Sequence, residues 1–325
     1  MMMDAQIHAD IHRLLHESNR LLIVSHIRPD GDAIGSVLGL GLSLLEIGKT
    51  VQMVLSDGVQ RTFKHLTGSR KIHRHSTGEF DAIITLDASD PKRLGDGLAD
   101  RVPDLNIDHH VTNLNFARIN FVIPDAVATA AILAEYLPVW ELPITKPVAE
   151  ALLTGIVTDT IGFRTSNMNA ETLRLAAGLM ELGADLPDLY KRALINRSFS
   201  ATRYWGKGLS ELQREGRLAW TTLTLADRKN SGYSGTDDAD LTNVLSGIDE
   251  CDIVILFNEQ KGGTVKVSWR SQPGYDVSQI AFNFGGGGHS AAAGADIPGT
   301  LDDVQNRVLE ATRAVLSAEF SDEKA

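Results

Sequence analysis

Short apolar runs alternate with longer stretches in which apolar residues recur every three or four positions, and this alternation organises the first half of the chain. Residues 21–25, 51–55, 82–86 and 105–107 read as strands, separated by helix-compatible segments such as 33–47. Strand and helix in alternation predict an α/β domain built on a mostly parallel sheet flanked by helices. From residue 126 to 196 the pattern is mainly helical, as in Ala149-Glu150-Ala151-Leu152-Leu153, and these helices would complete a first domain spanning residues 1–197. A connector with helical character and several basic residues follows at 198–215. Strand-like runs at 218–225, 251–257 and 264–269 and a closing helix at 301–320 then predict a smaller α/β domain over residues 216–325, with 321–325 frayed.

Chemistry gathers where the apolar runs end. Ser25-His26-Ile27-Arg28-Pro29-Asp30-Gly31-Asp32 follows the first run and opens a helix; Asp87 closes the third; Asp108-His109-His110 follows the fourth; Asp159 comes later, after Gly155-Ile156-Val157-Thr158. Each has an ordinary role when taken singly. Pro-Asp-Gly-Asp is turn chemistry, lone aspartates cap helices, and paired histidines lie on surfaces. Taken together, His26, Asp30, Asp32, Asp87, His109 and Asp159 make two imidazoles and four carboxylates. That is about the donor set two divalent ions require, of a hardness suited to Mn²⁺, Mg²⁺ or Fe²⁺. Open α/β sheets place their sites at such strand ends.

A second signal lies near the C-terminus, where four consecutive glycines, Gly285 to Gly288, precede His289. Glycine lets successive backbone N–H groups converge on an anion, so the run predicts a phosphate nest. No Gly-Lys-Ser or Gly-Lys-Thr follows, which excludes a Walker A loop. Arg270, at a strand end beside Ser271, adds a planar fork for phosphate. Arg270, Ser271, Gly286, Gly287, Gly288 and His289 are the expected substrate-binding set.

The ordered set His26-x-x-x-Asp30-x-Asp32, Asp87, Asp108-His109-His110 and Asp159 resembles the DHH phosphoesterases, and the segment from Val265 through the glycine run to Gly294 resembles the substrate-binding domain associated with them. The resemblance implies that His26, Asp30 and Asp87 hold one ion. Asp32, Asp87, His109 and Asp159 would hold the other, with Asp87 bridging. It further implies that His110 faces the substrate and acts on the scissile phosphate or leaving group, that Asp108 orients its neighbours, and that the site lies in an interdomain cleft. Mn²⁺ is the expected metal, with Mg²⁺ as the alternative. Within the family the likeness is nearest to stand-alone nanoRNases, which implies degradation of very short RNA oligonucleotides to mononucleotides and removal of the 3′-phosphate of 3′-phosphoadenosine 5′-phosphate (pAp). A cyclic or linear dinucleotide phosphodiesterase and a RecJ-like single-strand exonuclease are the alternatives. Pure nucleotide binding is disfavoured, because it needs no such complete set of metal donors.

Composition narrows the partners. A formal charge of −11 over 325 residues argues against a long duplex held on a basic surface and for a short oligonucleotide or mononucleotide bisphosphate gripped locally. Cys251 is the single cysteine, and no apolar run approaches membrane-spanning length, so a cytoplasmic protein without a membrane partner is expected. A homodimer is left open. His8, His12 and His16 recur along an N-terminal helix and are expected in water beside its apolar stripe; His73-Arg74-His75 is expected at the surface. Gly35, Gly39 and Gly41 are expected to pack against the sheet. Trp205, Trp220 and Trp269 are expected in buried packing; of the three, Trp269 has the best claim to stack a base, since it adjoins Arg270.

Overall fold

Mainly apolar runs without regular polar alternation build the middle of the first sheet, as expected of strands covered on both faces. The computed structural model describes residues 2–98 and 101–322. Its chain divides into two compact units, one reaching Asn196 and one beginning at Arg197.

In the first unit, β1 (Arg20–Val24), β2 (Thr50–Val54), β3 (Ile72–His73), β4 (Ala82–Leu86), β5 (Leu105–Asp108) and β6 (Ile119–Val122) form one sheet in the order β3-β2-β1-β4-β5-β6. Every pairing is parallel. The order reverses between β1 and β4, so the loops leaving their C-terminal ends part and open a crevice there. The sequence pattern missed β3 and β6, which are edge strands of two and four residues, too short for a period to show.

The helices of this unit are α1 (Met2–Glu17), α2 (Gly31–Glu46), α3 (Thr129–Tyr136), α4 (Lys146–Asp159), α5 (Ala170–Glu181) and α6 (Leu186–Tyr190). Helix α2 is buried along nearly its whole length, which explains its glycines. A Cβ on Gly41 would meet Met53 of β2, as expected of packing against the sheet. Gly35 and Gly39 differ: their Cβ atoms would meet Ala151 O at 2.5 Å and Leu152 Cδ2 at 2.4 Å, so they admit α4 rather than the sheet.

Helix α1 also departs from expectation. Its histidines are half-buried rather than in water, because they cover an aromatic cluster next to β6. His8 stacks on Tyr136 at 5.1 Å and accepts from Trp140 Nε1 at 3.2 Å, while His16 Nε2 donates to Trp140 O at 2.9 Å. His73, Arg74 and His75 are exposed, as expected.

The second unit contains α7 (Phe199–Ser210), β7 (Gln213–Glu215), β8 (Leu218–Leu223), α8 (Leu225–Ser231), α9 (Leu241–Leu245), β9 (Ile253–Gln260), β10 (Thr264–Ser271), α10 (Val277–Asn283), β11 (Gly287–His289), β12 (Ala292–Pro298) and α11 (Leu301–Asp322). Its sheet runs β11-β12-β10-β9-β8-β7, antiparallel except for β8 beside β9. Residues 198–215, read from sequence as a connector, hold α7 and β7, and β7 pairs in register with β8. Ser321 and Asp322 continue α11; the rest of the expected frayed end, 323–325, lies outside the described residues. Trp269 is fully buried, donates to Thr312 Oγ1 of α11 at 3.3 Å and stacks on Phe284, so it packs the core and is not free to stack a base. Among the described residues, no helix is long and apolar enough to cross a membrane.

Candidate metal centre

The crevice at the sheet's switch point collects the acidic and histidine residues of the first unit. The loop leaving β1 is braced from outside: Arg28 N donates to Asp57 Oδ2 at 2.6 Å, Gln60 Nε2 to Pro29 O at 2.6 Å and Ile27 N to Arg93 O at 2.7 Å. Arg28 is left-handed, at φ 55°, which turns the chain back toward the sheet. Asp30 caps α2, one carboxylate oxygen accepting from Asp32 N and Ala33 N. His26 donates from Nδ1 to Ile27 O at 2.8 Å, leaving Nε2 to face Asp87 at 3.4 Å and Asp30 at 3.8 Å.

Asp87 leaves β4 with φ 54°, a conformation that costs a non-glycine residue about 1 kcal/mol or more and that aspartate tolerates better than most. Its backbone N–H donates to Ile107 O, and its Oδ1 accepts from Thr129 Oγ1 at 3.1 Å. Asp32, in the first turn of α2, is buried and held by the N-terminus of α3. Thr129 N donates to its Oδ2 at 2.7 Å and Ala130 N to its Oδ1 at 2.9 Å, the favourable place for an anion on a helix. His109 Nε2 lies 3.7 Å from Asp87 and 3.5 Å from Asp159, which ends α4. His110 Nδ1 donates to Asp108 Oδ1 at 2.7 Å, and the fully buried Asp108 also accepts from His109 N.

Two groups of potential ligands result, each with atoms within 4.8 Å of one another: His26, Asp30 and Asp87, and Asp32, Asp87 and His109. Asp87 belongs to both. Asp159 falls outside these tight groups but adjoins the second through His109. Asp87, Asp108 and His110 form a further group beside them.

Proton affinities reflect the crowding. Burial and the nearby carboxylates, Asp87 and Asp159 for Asp32 and Asp30 and Asp87 for Asp159, push Asp32 and Asp159 well above the usual carboxylate range. Asp87 goes the other way: burial alone would raise it, but its hydrogen bond to His26 and the adjacent imidazoles hold it far below. His26 is raised against the pull of burial by that same bond and the charges of Asp30 and Asp87. His110 is likewise pushed up to about 9, its bond to Asp108 and the charge of Asp87 outweighing burial. Clustered carboxylates that retain protons this strongly are short of positive charge, and hard divalent cations meet that need with the oxygen and imidazole donors present.

The second unit places its expected residues on β10 and on or just before the edge strand β11 of its own sheet, two strands apart. Arg270 and His289 both lie opposite Ala292, one on β10 and one on β11, and so share a row across three strands. Arg270 is engaged, Nε with Asn243 Oδ1 at 3.1 Å and an Nη with Trp269 O at 2.9 Å, and burial lowers its pKa despite Asp238 and Asp240. Ser271 Oγ donates to Tyr275 O, with Ser290 O also in reach. The glycine run is less open than a nest along its whole length. The N–H groups of Gly285 and Gly286 close the end of α10, and Gly287, Gly288 and His289 form β11. Side chains are excluded there: a Cβ on Gly286 would lie 2.1 Å from Gly294 O and one on Gly288 2.4 Å from Ala292 O. The outer edge of β11 is what remains for an anion.

Sequence reasoning missed Thr129, whose hydroxyl and amide hold Asp87 and Asp32, and Asn113, which donates to Asp108 at 2.6 Å. One signal was available. Thr85 and Asn106 are polar residues inside otherwise apolar buried strands, where a side chain needs a partner.

Residues 20–156 match the DHH family, N-terminal domain, and residues 228–318 match the DHHA1 domain. The chain is 34% identical over 300 residues to a bifunctional oligoribonuclease and PAP phosphatase of Thermus thermophilus, covering 91% of this chain and 90% of that one. It is 31% identical over 297 residues to the protein so named in Mycoplasma genitalium, covering 87% and 90%. Among solved structures, an exopolyphosphatase-related protein from Bacteroides fragilis superposes with a TM-score of 0.87 at 26% identity, covering 97% of this chain and 96% of that one.

Proposed function

This chain is a member of the DHH family carrying a DHHA1 domain, and on that premise we propose that it is a two-metal phosphohydrolase of very short RNA. It would degrade oligonucleotides of a few residues to mononucleotides and remove the 3′-phosphate of pAp; its relatives in Thermus and Mycoplasma are named as bifunctional oligoribonuclease and PAP phosphatase, which supports both. The observation that carries the reading is Asp87, shared between two three-residue ligand groups. His26, Asp30 and Asp87 would hold one ion, and Asp32, Asp87, His109 and Asp159 the other; Mn²⁺ is the metal we propose, with Mg²⁺ the alternative, both compatible with a carboxylate-rich donor set. Bound there, two divalent ions supply Lewis acidity toward the phosphoryl oxygens and lower the pKa of water.

The protein's own part is to arrange these groups. The left-handed turn at Asp87 aims its carboxylate into the crevice, and Thr129 fixes one of its oxygens. Asp32 is clamped by two backbone amides and cannot swing away. His110 donates from Nδ1 to Asp108, and its Nε2 would give the leaving oxygen its proton. In the second unit, Arg270, Ser271, Gly286, Gly287, Gly288 and His289 would bind the substrate's phosphate and terminal nucleotide.

The test is direct: protein stripped of metal and then titrated with Mn²⁺, assayed on 5′-labelled diribonucleotide and on pAp. Turnover of both that depends on the added ion is expected. Turnover undiminished by exhaustive chelation would overturn the proposal.

A further inference from the structure

Asp108 is fully buried, and its two oxygens are used unequally. Oδ1 accepts from His110 Nδ1 at 2.7 Å and from His109 N at 2.9 Å. Oδ2 accepts from Asn113 Nδ2 at 2.6 Å, and among the described residues that is its one donor. Asn113 does more than fill a lone pair. Its backbone N–H donates to His110 O at 3.2 Å, so it grips His110 at the main chain and, through Asp108, at the ring.

The amide of Asn113 is itself fixed. Its oxygen accepts from Asn115 N at 2.7 Å, so its NH₂ group faces inward, toward Asp108, Asn106 Oδ1 at 2.8 Å and Ala88 O at 3.3 Å. Asn106 is fully buried and donates to Thr85 Oγ1 at 2.9 Å and to Ala88 O at 3.2 Å. A polar chain therefore runs from β4 through β5 to the loop beyond His110, and every link is a hydrogen bond between side chains or to a main-chain carbonyl. Such a chain holds its terminal member in one orientation.

We propose that Asn113 is a positioning residue for the reaction, holding the Asp108 carboxylate so that the His110 ring keeps its Nε2 turned to the substrate's leaving oxygen. The inference rests on the phosphohydrolase reading for its kinetics, but not for its geometry. Without the Asn113 amide, Asp108 Oδ2 is left buried and unpaired, and both the carboxylate and the imidazole gain freedom to rotate.

Three variants and two substrates test this. One substrate is a diribonucleotide, whose leaving alkoxide needs a proton. The other is the p-nitrophenyl ester of thymidine 5′-phosphate, whose leaving phenolate does not. Asn113→Ala should lower kcat on the diribonucleotide about 10- to 100-fold, part of what a positioned general acid contributes, with KM and the ester reaction changed by no more than about threefold. Asn113→Asp keeps the shape but sets a carboxylate against Asp108, and should be impaired at least as much; a space-filling role predicts that it is tolerated. Both variants should bind the same number of Mn²⁺ ions as wild type, which also shows that they fold. In the metal-free proteins, the downfield Nδ1–H resonance of His110, identified by its loss in His110→Gln, should shift or broaden in both Asn113 variants. Equal losses on the two substrates, or an unaltered His110 resonance, would overturn the proposal. If wild-type protein hydrolysed neither substrate, the phosphohydrolase reading would fall while the resonance still decided the role of Asn113.

Discussion

At the scale of single residues the account turns on charge. Asp87→Asn removes one charge from the carboxylate that both ligand groups share, so it should weaken both ions and cut turnover by about three decades, the loss of several kcal/mol of transition-state stabilisation. Asp30→Asn, at an exposed carboxylate of one group, should lower the affinity of one site and leave the second near wild type. Calorimetric titration with Mn²⁺ distinguishes the two outcomes. A pH dependence follows from the same cluster. Asp32, Asp159 and His110 have folded-state pKa values above their unfolded ones, so in the metal-free protein these groups hold more protons folded than unfolded, while Asp87, held far below, holds fewer in acid. The stability those three groups contribute is full below their unfolded values and is lost as pH rises through the raised ones, up to about 9 for His110, whereas the contribution of Asp87 is lost only in acid. Cations replace the missing protons. The increase in melting temperature on adding Mn²⁺ should thus be larger at pH 8.5 than at pH 6, and an increase independent of pH would contradict the electrostatic picture of the site.

At the scale of elements, the contact between α2 and α4 holds Asp32 and Asp159 in relation to each other, and glycines set its closeness. A Cβ on Gly155 would lie 2.5 Å from Ala130 Cβ and 2.8 Å from Asp32 Oδ1. Gly155→Ala should therefore destabilise by about 1–3 kcal/mol and weaken Mn²⁺ binding as well. Gly178→Ala in α5, where nothing lies within 4 Å, should leave binding unchanged and stabilise by up to about 1 kcal/mol. Chemical denaturation and metal titration of the two variants check both halves. These contacts mark the limit of what the sequence could say. Central strands and long helices were legible because burial on both faces leaves mainly apolar runs without period-two alternation, as at 82–86, where Thr85 is the one polar residue. The aspartates and histidines at their ends were legible because ligand chemistry admits few residue types. The partner that each glycine of α2 admits was not legible, since it depends on how α4, more than a hundred residues away, crosses that helix. Nor were the roles of Thr129 and Asn113, whose side chains serve the site only through hydrogen bonds fixed by tertiary structure. The histidines of α1 misled for a similar reason: Trp140 and Tyr136, distant in sequence, turn a polar face into a packed one.

At the scale of the whole molecule, net charge bears on the choice of substrate. A short oligonucleotide can be held by metal ions and a few donors. Each further nucleotide adds a phosphate with no row of lysines or arginines to meet it, on a chain whose formal charge is −11. Added length should gain little binding and meet repulsion. The most direct test of the central claim is kcat/KM on a ladder of RNAs from dinucleotide to a few tens of residues, with Mn²⁺ at fixed ionic strength. Efficiency should be highest at about two to five nucleotides and fall steeply beyond, as the charge argument requires. Processive degradation of a long strand at least as efficient as that of the dinucleotide would contradict the account and favour a RecJ-like exonuclease.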